Sequence, residues 1–207
     1  LIAEHQYEAG AEELIQHISR KLNGYQLLIG VPTSNGKAME YLRQSGFERI
    51  ESSVDTRLYA LGPRNTQQNG GIEEITAANY EEYATFHDKH AIPSEMYYHS
   101  KNLKRELDRF RVLALRRDGL ICGSIFVKTA PAQKGAEVFG LFVDAGYKDS
   151  GVESALLQEM LVRLYDEFGA LQEIVYFIEE DNAEELNVAL AEGFEIKDGY
   201  RCYRCML

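Results

Sequence analysis

The segment LFVDAGYKDSGVESALL, residues 141–157, changes from a strand pattern to a helix pattern across a turn that contains Gly151. An apolar strand that enters such a turn and then opens a helix forms an anion site. The free amides of the first helical turn point towards the ligand, and the helix dipole adds partial positive charge. Glycine or alanine in the turn lets phosphate oxygens approach the main chain. The segment therefore predicts a cradle for a phosphate-bearing ligand.

The chain after this turn alternates between helix and strand. Residues 151–168 have the strongest helix pattern, because apolar residues recur every four positions from Val152 to Phe168. The pattern then predicts a buried strand at Ile174–Ile178, a helix at Asn182–Glu192 ended by Gly193, and two further strands between Phe194 and Leu207.

The part before the cradle is dominated by strands. Asp118-Gly119 supplies the turn of a β-hairpin. The order predicts an α/β fold with a mixed, mostly antiparallel sheet and helices on both faces. The predicted elements are a strand at Ile72–Thr76, a helix capped by Asn79 and running to about His90, a helix from Pro93 towards Phe110, and strands at Arg111–Arg116, Ile121–Lys128 and Glu137–Val143.

The two ends of the chain repeat one another. Residues 5–15 match residues 147–157 in pattern, and each leads into an amphipathic helix and an apolar strand. Asn35 and Asn182 follow, and each is eleven residues before a Gly-Phe pair. This shared order favours duplication over two unrelated strand–helix units. We expect residues 1–61 to be the C-terminal half of a module whose N-terminal half is absent, 62–71 a polar linker, and 72–207 a complete module.

The turn and the Asn-to-Gly-Phe helix together resemble the GNAT superfamily of acyl-coenzyme A-dependent N-acyltransferases. Its phosphate loop has the pattern Gln/Arg-x-x-Gly-x-Gly/Ala followed by Leu-Leu, which residues 148–157 resemble. The resemblance implies a sheet whose two central parallel strands splay apart to admit the cofactor. It also implies acetyl-coenzyme A as cosubstrate, a primary amine of a small molecule or peptide as acceptor, and no metal.

The resemblance also assigns site residues. Glu137 would be the general base, which takes a proton from the substrate ammonium; a solvent-facing glutamate at a strand end is the alternative. The backbone of Leu141 and Val143 would contact the pantetheine. Lys148, Gly151, Val152 and Ser154 would surround the pyrophosphate, and Asn182 would contact the cofactor arm.

The loop departs from the family pattern at two acidic residues. Asp149 replaces a usual glycine, and Glu153 stands where glycine or alanine is expected. A carboxylate beside a pyrophosphate costs of order 1–4 kcal/mol, depending on solvation. A tyrosine that many members use as general acid is also replaced, by Leu42 and Ala189 in the two copies.

The charge of the chain bears on its partners. The net charge is −11, and residues 137–207 alone carry sixteen Asp or Glu against five Lys or Arg. Nucleic acids require a basic face, so this composition argues against them. An acidic surface attracts an amine substrate and repels an anionic cofactor. No apolar run approaches the roughly 20 residues that cross a bilayer, which argues against a membrane partner.

The cysteines and histidines are not arranged as a metal site. Three cysteines, an odd number without a dense framework, fit a reducing cytoplasm. His87 and His90 have helical spacing but lack further ligands, so we expect a surface or substrate-pocket role. Tyr80, Tyr83, Tyr97 and Tyr98 fit either the acceptor pocket of the family or the core.

Two functions compete on this evidence. The first is an N-acetyltransferase that moves an acyl group from acyl-coenzyme A to an amine. The second is a GNAT-like binding or assembly module that has lost the cofactor, which Asp149 and Glu153 favour. The sequence leaves a homodimer open in either case.

Overall fold

The structure, a computed structural model, describes residues 7–64, 70–92, 96–148 and 150–207. The chain forms two compact units, the first comprising Leu1–Asp55 with Lys197–Leu207 and the second Thr56–Ile196. The predicted domain boundaries remain a prediction, to which this division adds that the last residues of the chain belong with the first unit. The helices are α1 (Tyr7–Lys21), α2 (Gly36–Gln44), α3 (Tyr80–His90), α4 (Ser100–Arg105), α5 (Val152–Phe168) and α6 (Ala183–Ala191). The strands are β1 (Gln26–Pro32), β2 (Glu48–Tyr59), β3 (Ile72–Glu74), β4 (Phe110–Arg117), β5 (Leu120–Ala130), β6 (Gly135–Val143), β7 (Glu173–Glu179) and β8 (Glu195–Met206).

The first unit is built on the strand order β1-β8-β2. Strands β1 and β8 pair antiparallel, from Gln26 opposite Met206 to Pro32 opposite Tyr200. Helices α1 and α2 supply apolar side chains to its core. The buried residues of that core are Val31, Ala38, Leu42, Phe47 and Tyr203.

The second unit has the strand order β2-β7-β6-β5-β4-β3. The pairs from β3 to β6 are antiparallel, and β6 and β7 are parallel. One face of its sheet packs on α5, where Leu156 and Met160 are fully buried. The other face packs on α3 through Tyr83 and Phe86. The predicted fold class, a mixed and mostly antiparallel sheet with helices on both faces, is confirmed.

Strands β6 and β7 separate halfway along their length. Their ladder runs from Gly135 opposite Glu173 to Val138 opposite Tyr176 and stops there, although β6 continues to Val143. The β5–β6 ladder shifts register at the same place, because Phe126 faces Gly140 while Val127 faces Val138. A bulge bends its strand and re-aims the following backbone. The splay expected of the central strand pair is therefore present.

Two predicted elements differ in the structure. Phe194 to Leu207 contains one strand, β8, instead of two. Within the first unit, the Asp198 carboxylate accepts hydrogen bonds from the Thr33 and Ser34 hydroxyls. Asp198 and Gly199 are therefore held within β8 and do not form a hairpin turn. The second predicted helix is reduced to α4 and a 3₁₀ turn at Leu107–Arg109. Residues 93–95, where that helix was expected to begin, lie outside the described residues.

The segments predicted to repeat have matching local geometry. Helices α2 and α6 each have nine residues. Asn35 and Asn182 occupy their N-caps with φ of −91° and −89°, and each side-chain oxygen accepts from the backbone N–H three residues on at 3.2 Å. Positive φ follows each helix at Gly46 and Gly193. The repeat remains a prediction, which this match supports.

Candidate active site

A pocket of about 160 Å³ opens where β6 and β7 separate, wholly within the second unit. It is smaller than the roughly 300–1,000 Å³ that enclose a drug-sized ligand, so it suits one part of an extended molecule. Four of the predicted cofactor residues meet there. The lining residues are His90, Leu141, Phe142, Val143, Lys148, Glu153, Asn182, Glu184 and Glu185.

Strand β6 gives this pocket a wall of backbone. The Leu141 side chain packs into the α5 core, and Val143 packs against that core from the side. Phe142 points to the opposite face, against the α3 core. Beyond Val138, the ladder leaves the β7-facing edge of β6 unpaired. An extended ligand can therefore hydrogen-bond to this edge as an added strand would.

The turn into α5 forms the second side of the site. Gly151 is its N-cap with φ of +77°, a conformation that favours glycine. Val152 is fully buried in the core and does not line the pocket. Ser154 is half-buried and lies outside the pocket lining, as does Gly151, while Lys148 lines the pocket. Asp149 lies outside the described residues.

The start of α6 forms the third side and is already hydrogen-bonded. Asn182 donates from Nδ2 to Oε2 of Glu185 at 2.7 Å, and its Oδ1 accepts from the Glu185 N–H at 3.2 Å. The Tyr176 hydroxyl donates to the other carboxylate oxygen of Glu185. This network fixes Asn182 at the pocket wall.

Glu185 is the residue that sequence reasoning missed in this pocket. Burial raises its pKa to about 7; the Tyr176 hydrogen bond opposes that shift, the charges of Glu179 and Glu153 add to it, and Lys148 lowers it. Burial also raises the pKa of Tyr176 well above its usual value, so the phenol is a donor. The Asn-x-x-Glu spacing, with a carboxylate three residues after a helix cap, was the available sequence signal.

Glu153 lies in the same pocket and is 7% exposed. It occupies the first turn of α5, at the position where the family pattern has glycine or alanine. The pocket therefore brings the Lys148 side chain together with the carboxylates of Glu153 and Glu185.

His90 supplies a polar group at the α3 side of the pocket. Its Nε2 lies 3.1 Å from Asp144 Oδ1, and its ring stacks on Phe142 with centroids 5.2 Å apart. His87 instead belongs to the core, where its ring nitrogens contact the Tyr83 hydroxyl at 2.9 Å and the Tyr98 carbonyl at 2.8 Å. Burial lowers the pKa of His87. Among the described residues, no group of His, Cys, Asp and Glu is arranged to hold a metal.

Glu137, the predicted general base, lies on β6 one residue before the last paired position. It is half-buried and faces Lys128 in the β5 ladder and Val175 in the β7 ladder. Burial raises its pKa, while the charges of Arg57 and Lys128 lower it. It does not line the pocket at the splay.

Three of the four tyrosines of the α3–α4 region, including Tyr98, belong to the buried core, and the acceptor-pocket alternative stays a prediction. Tyr80 and Tyr83 are buried in the core. Tyr97 is exposed, and Tyr98 packs its ring beside Lys128.

Over the described residues, no helix has the length and apolar character needed to cross a membrane.

Comparison with known proteins supports the fold. Residues 1–72 match the sequence model of a family described as "Acetyltransferase (GNAT) domain". No curated protein matches the chain. The chain is similar to a conserved protein of unknown function from Staphylococcus epidermidis, with 15% identity, a TM-score of 0.70, and coverage of 100% of this chain and 82% of that one.

Two further solved structures carry the family name. A tandem GNAT protein from the clavulanic acid biosynthesis pathway has 16% identity and a TM-score of 0.67 over 99% of this chain and 71% of that one. A GCN5-related N-acetyltransferase from Sphaerobacter thermophilus has 15% identity and a TM-score of 0.65 over 95% of this chain and 65% of that one, so the chain spans slightly less than two thirds of that protein. At these identities the likeness shows the fold. With the family match to residues 1–72, it confirms the predicted resemblance to the GNAT superfamily.

Proposed function

We propose that the second unit binds acyl-coenzyme A in the splay and transfers the acyl group to a primary amine. The observation that carries this proposal is the end of the β6–β7 ladder at Val138 and Tyr176. Along the chain, the opened edge of β6 is followed by the turn at Gly151 and the start of α5. An extended amide-bearing chain with a phosphate end matches this sequence of backbone donors and acceptors.

The pocket fits the two ends of coenzyme A unequally. The pantetheine arm carries amides that suit the free edge beyond Val138. The diphosphate would meet the α5 amides and Lys148, which favour it, and Glu153 and Glu185, which oppose it. Protonation of Glu185 removes one of the opposing charges. We therefore expect the cofactor to bind more tightly as the pH falls through about 7, the pKa of Glu185.

Glu137 can act as the base of the transfer. Only a neutral amine attacks a thioester carbonyl, so the substrate ammonium must first lose a proton. Burial raises the pKa of the Glu137 carboxylate above its usual value, which makes it a stronger base. The amine nitrogen then forms the amide bond as the carbon–sulfur bond breaks. The second proton of the nitrogen passes to the leaving sulfur, so coenzyme A leaves as the thiol, and Glu137 releases the first proton to solvent.

Ligand-dependent thermal stability tests this function. Acetyl-coenzyme A should raise the melting temperature by mass action, since a ligand at 100 times its dissociation constant adds about 2.7 kcal/mol. Glu153→Gln removes a pocket charge and keeps the side-chain size, so the dissociation constant should fall about tenfold. Asp166→Asn, an exposed position on the same helix, controls for global charge and should leave affinity unchanged.

A second candidate is a binding or assembly module without acyl transfer. The burial of Glu153 and its neighbour Glu185 in the pocket favours it, because both carboxylates oppose a diphosphate. Flat melting curves for the wild type and for Glu153→Gln, up to millimolar acetyl-coenzyme A at pH 6, would contradict the transferase and leave this candidate.

A further inference from the structure

An aromatic cage encloses an ammonium group on the α3–α4 side of the second unit. The rings of Tyr98, Phe110 and Phe139 contact one another, with centroid distances of 4.8, 5.1 and 5.6 Å. The Nζ atom of Lys128 lies 4.7, 5.4 and 5.8 Å from their centroids. Rings at this distance attract a cation through their electron-rich faces.

The polar side of the cage is closed by an acid. Lys128 Nζ donates a hydrogen bond to Glu106 Oε2 at 3.2 Å, and it also donates to the Tyr98 hydroxyl. The hydrogen bond from Lys128 holds the pKa of Glu106 below its usual value, so the carboxylate is ionised. Three rings and one carboxylate are a set of groups that recognises ammonium ligands. The Lys128 side chain remains 20% exposed, so the cage is open to solvent on one side.

The cage lies next to the base of the proposed reaction. Lys128 faces Glu137 in the β5–β6 ladder. Phe139 lies in the bulge, just beyond Val138, where β6 leaves β7. A cation held in the cage would therefore lie beside both Glu137 and the opening that admits the thioester.

We propose that this cage is the acceptor site and that Lys128 occupies it in place of the substrate ammonium. The acceptor is then a primary amine at the end of an unbranched aliphatic arm, like the lysine side chain that fills the cage here. It enters when Lys128 swings out to solvent. The acceptor role rests on the proposed acyl transfer, whereas ammonium binding by the cage does not.

Chemical complementation tests the binding step. Lys128→Ala removes three carbons and the ammonium, so propylammonium should restore the lost thermal stability while the neutral propanol should not. Lys104→Ala is the matched control, because Lys104 pairs with Glu81 and lies over a single ring, that of Tyr80. Propylammonium should stabilise the control and the wild type equally, and both less than Lys128→Ala, because in each of them it must first displace Lys128. Equal effects of propanol and propylammonium on Lys128→Ala, or no effect of either, would overturn the cage as a cation site.

The wild-type protein carries the test if Lys128→Ala does not fold. Propyltrimethylammonium cannot react with an acetylating reagent, yet it should displace Lys128 from the cage. Acetylation of Lys128 by an N-hydroxysuccinimide ester, measured by peptide mass spectrometry, should then rise at least threefold relative to Lys104. An unchanged ratio would count against displacement.

Turnover separates this proposal from the proposed function. With acetyl-coenzyme A and alkylamines, Lys128→Ala should lower the KM for the amine about tenfold and change kcat less. Ammonium binding without any transfer would refute acyl transfer and retain the cation site. Transfer with an unchanged KM in the variant would refute the acceptor role of the cage and retain the enzyme.

Discussion

Replacing Glu185 by glutamine should change how the stability of the protein depends on pH. Glu185 is partly accessible, lies at the start of α6, and binds Tyr176 and Asn182 through its two oxygens. Burial raises its pKa from 4.5 to about 7. The native state therefore holds this proton more tightly than the unfolded chain does, and glutamine, which does not titrate, removes that difference.

The sign and size follow from the two pKa values. The stabilisation from the protonated carboxyl is fully present below pH 4.5 and is lost as the pH rises to about 7 and above. At about 1.36 kcal/mol per unit of pKa, the full shift corresponds to a ceiling of about 3.4 kcal/mol. Partial exposure of Glu185 to water reduces this to about 2–3 kcal/mol. Because the loss begins above pH 4.5, the wild type should lose about 2 kcal/mol of this relative to Glu185→Gln between pH 5 and pH 8.

Urea denaturation at pH 5, 6, 7 and 8 measures the effect. The difference in unfolding free energy between Glu185→Gln and the wild type should grow in favour of the variant across this range. Glu184→Gln makes the same chemical change one residue away and controls for the loss of one negative charge at the start of α6. A difference for Glu185→Gln that stays constant within about 0.5 kcal/mol, or that follows the Glu184→Gln control, would refute the reasoning.

Three further changes test the packing and the caps. Leu156→Ala should lower the unfolding free energy by about 2–5 kcal/mol, because the side chain is fully buried beneath the sheet of the second unit. Asn182→Ala should cost about 0.5–2 kcal/mol through loss of the α6 cap, and urea titration measures both effects. Gly30→Ala places a Cβ 1.7 Å from the Tyr200 hydroxyl; because this is the end of a half-exposed side chain that can turn aside, the change should cost about 1 kcal/mol. Adding Tyr200→Ala should recover part of that loss in a double-mutant cycle.

The elements that depend on local signals could be predicted from the sequence. The Asp118-Gly119 hairpin follows from two residues that adopt positive φ, at 51° and 80°. Helix α5 follows from its apolar repeat, and α6 from Asn182 and the glycine after it. Each of these signals lies within or beside the element that it predicts, so no distant partner is needed to interpret it.

The single strand β8 could not be predicted in the same way. Its Asp198-Gly199 pair resembles a turn, but the carboxylate bonds to Thr33 and Ser34, which are more than 160 residues earlier in the chain. An edge partner decided the conformation there. The pattern of a single sequence does not indicate which distant segment will pair with a strand.

The candidate site was also only partly readable. The resemblance assigned four cofactor residues to consecutive elements, and all four line the pocket: Leu141, Val143, Lys148 and Asn182. The cage could not be foreseen, since Tyr98 follows α3, Phe110 begins β4 and Lys128 and Phe139 lie on two further strands. No spacing along the chain records that convergence.

The two halves of the pocket are under different physical control. Its backbone side depends on where one ladder ends and on one bulge, and these features need only apolar strands of the right length beside α5. Its electrostatics depend on individual side chains, so one substitution at Glu153 or Glu185 changes the local charge without moving the strands. A chain can therefore keep these strands while its affinity for a diphosphate changes. Restoring an uncharged residue at both positions should separate the two contributions. If the double variant still does not bind acetyl-coenzyme A, the backbone side itself is inadequate, and the charge argument fails.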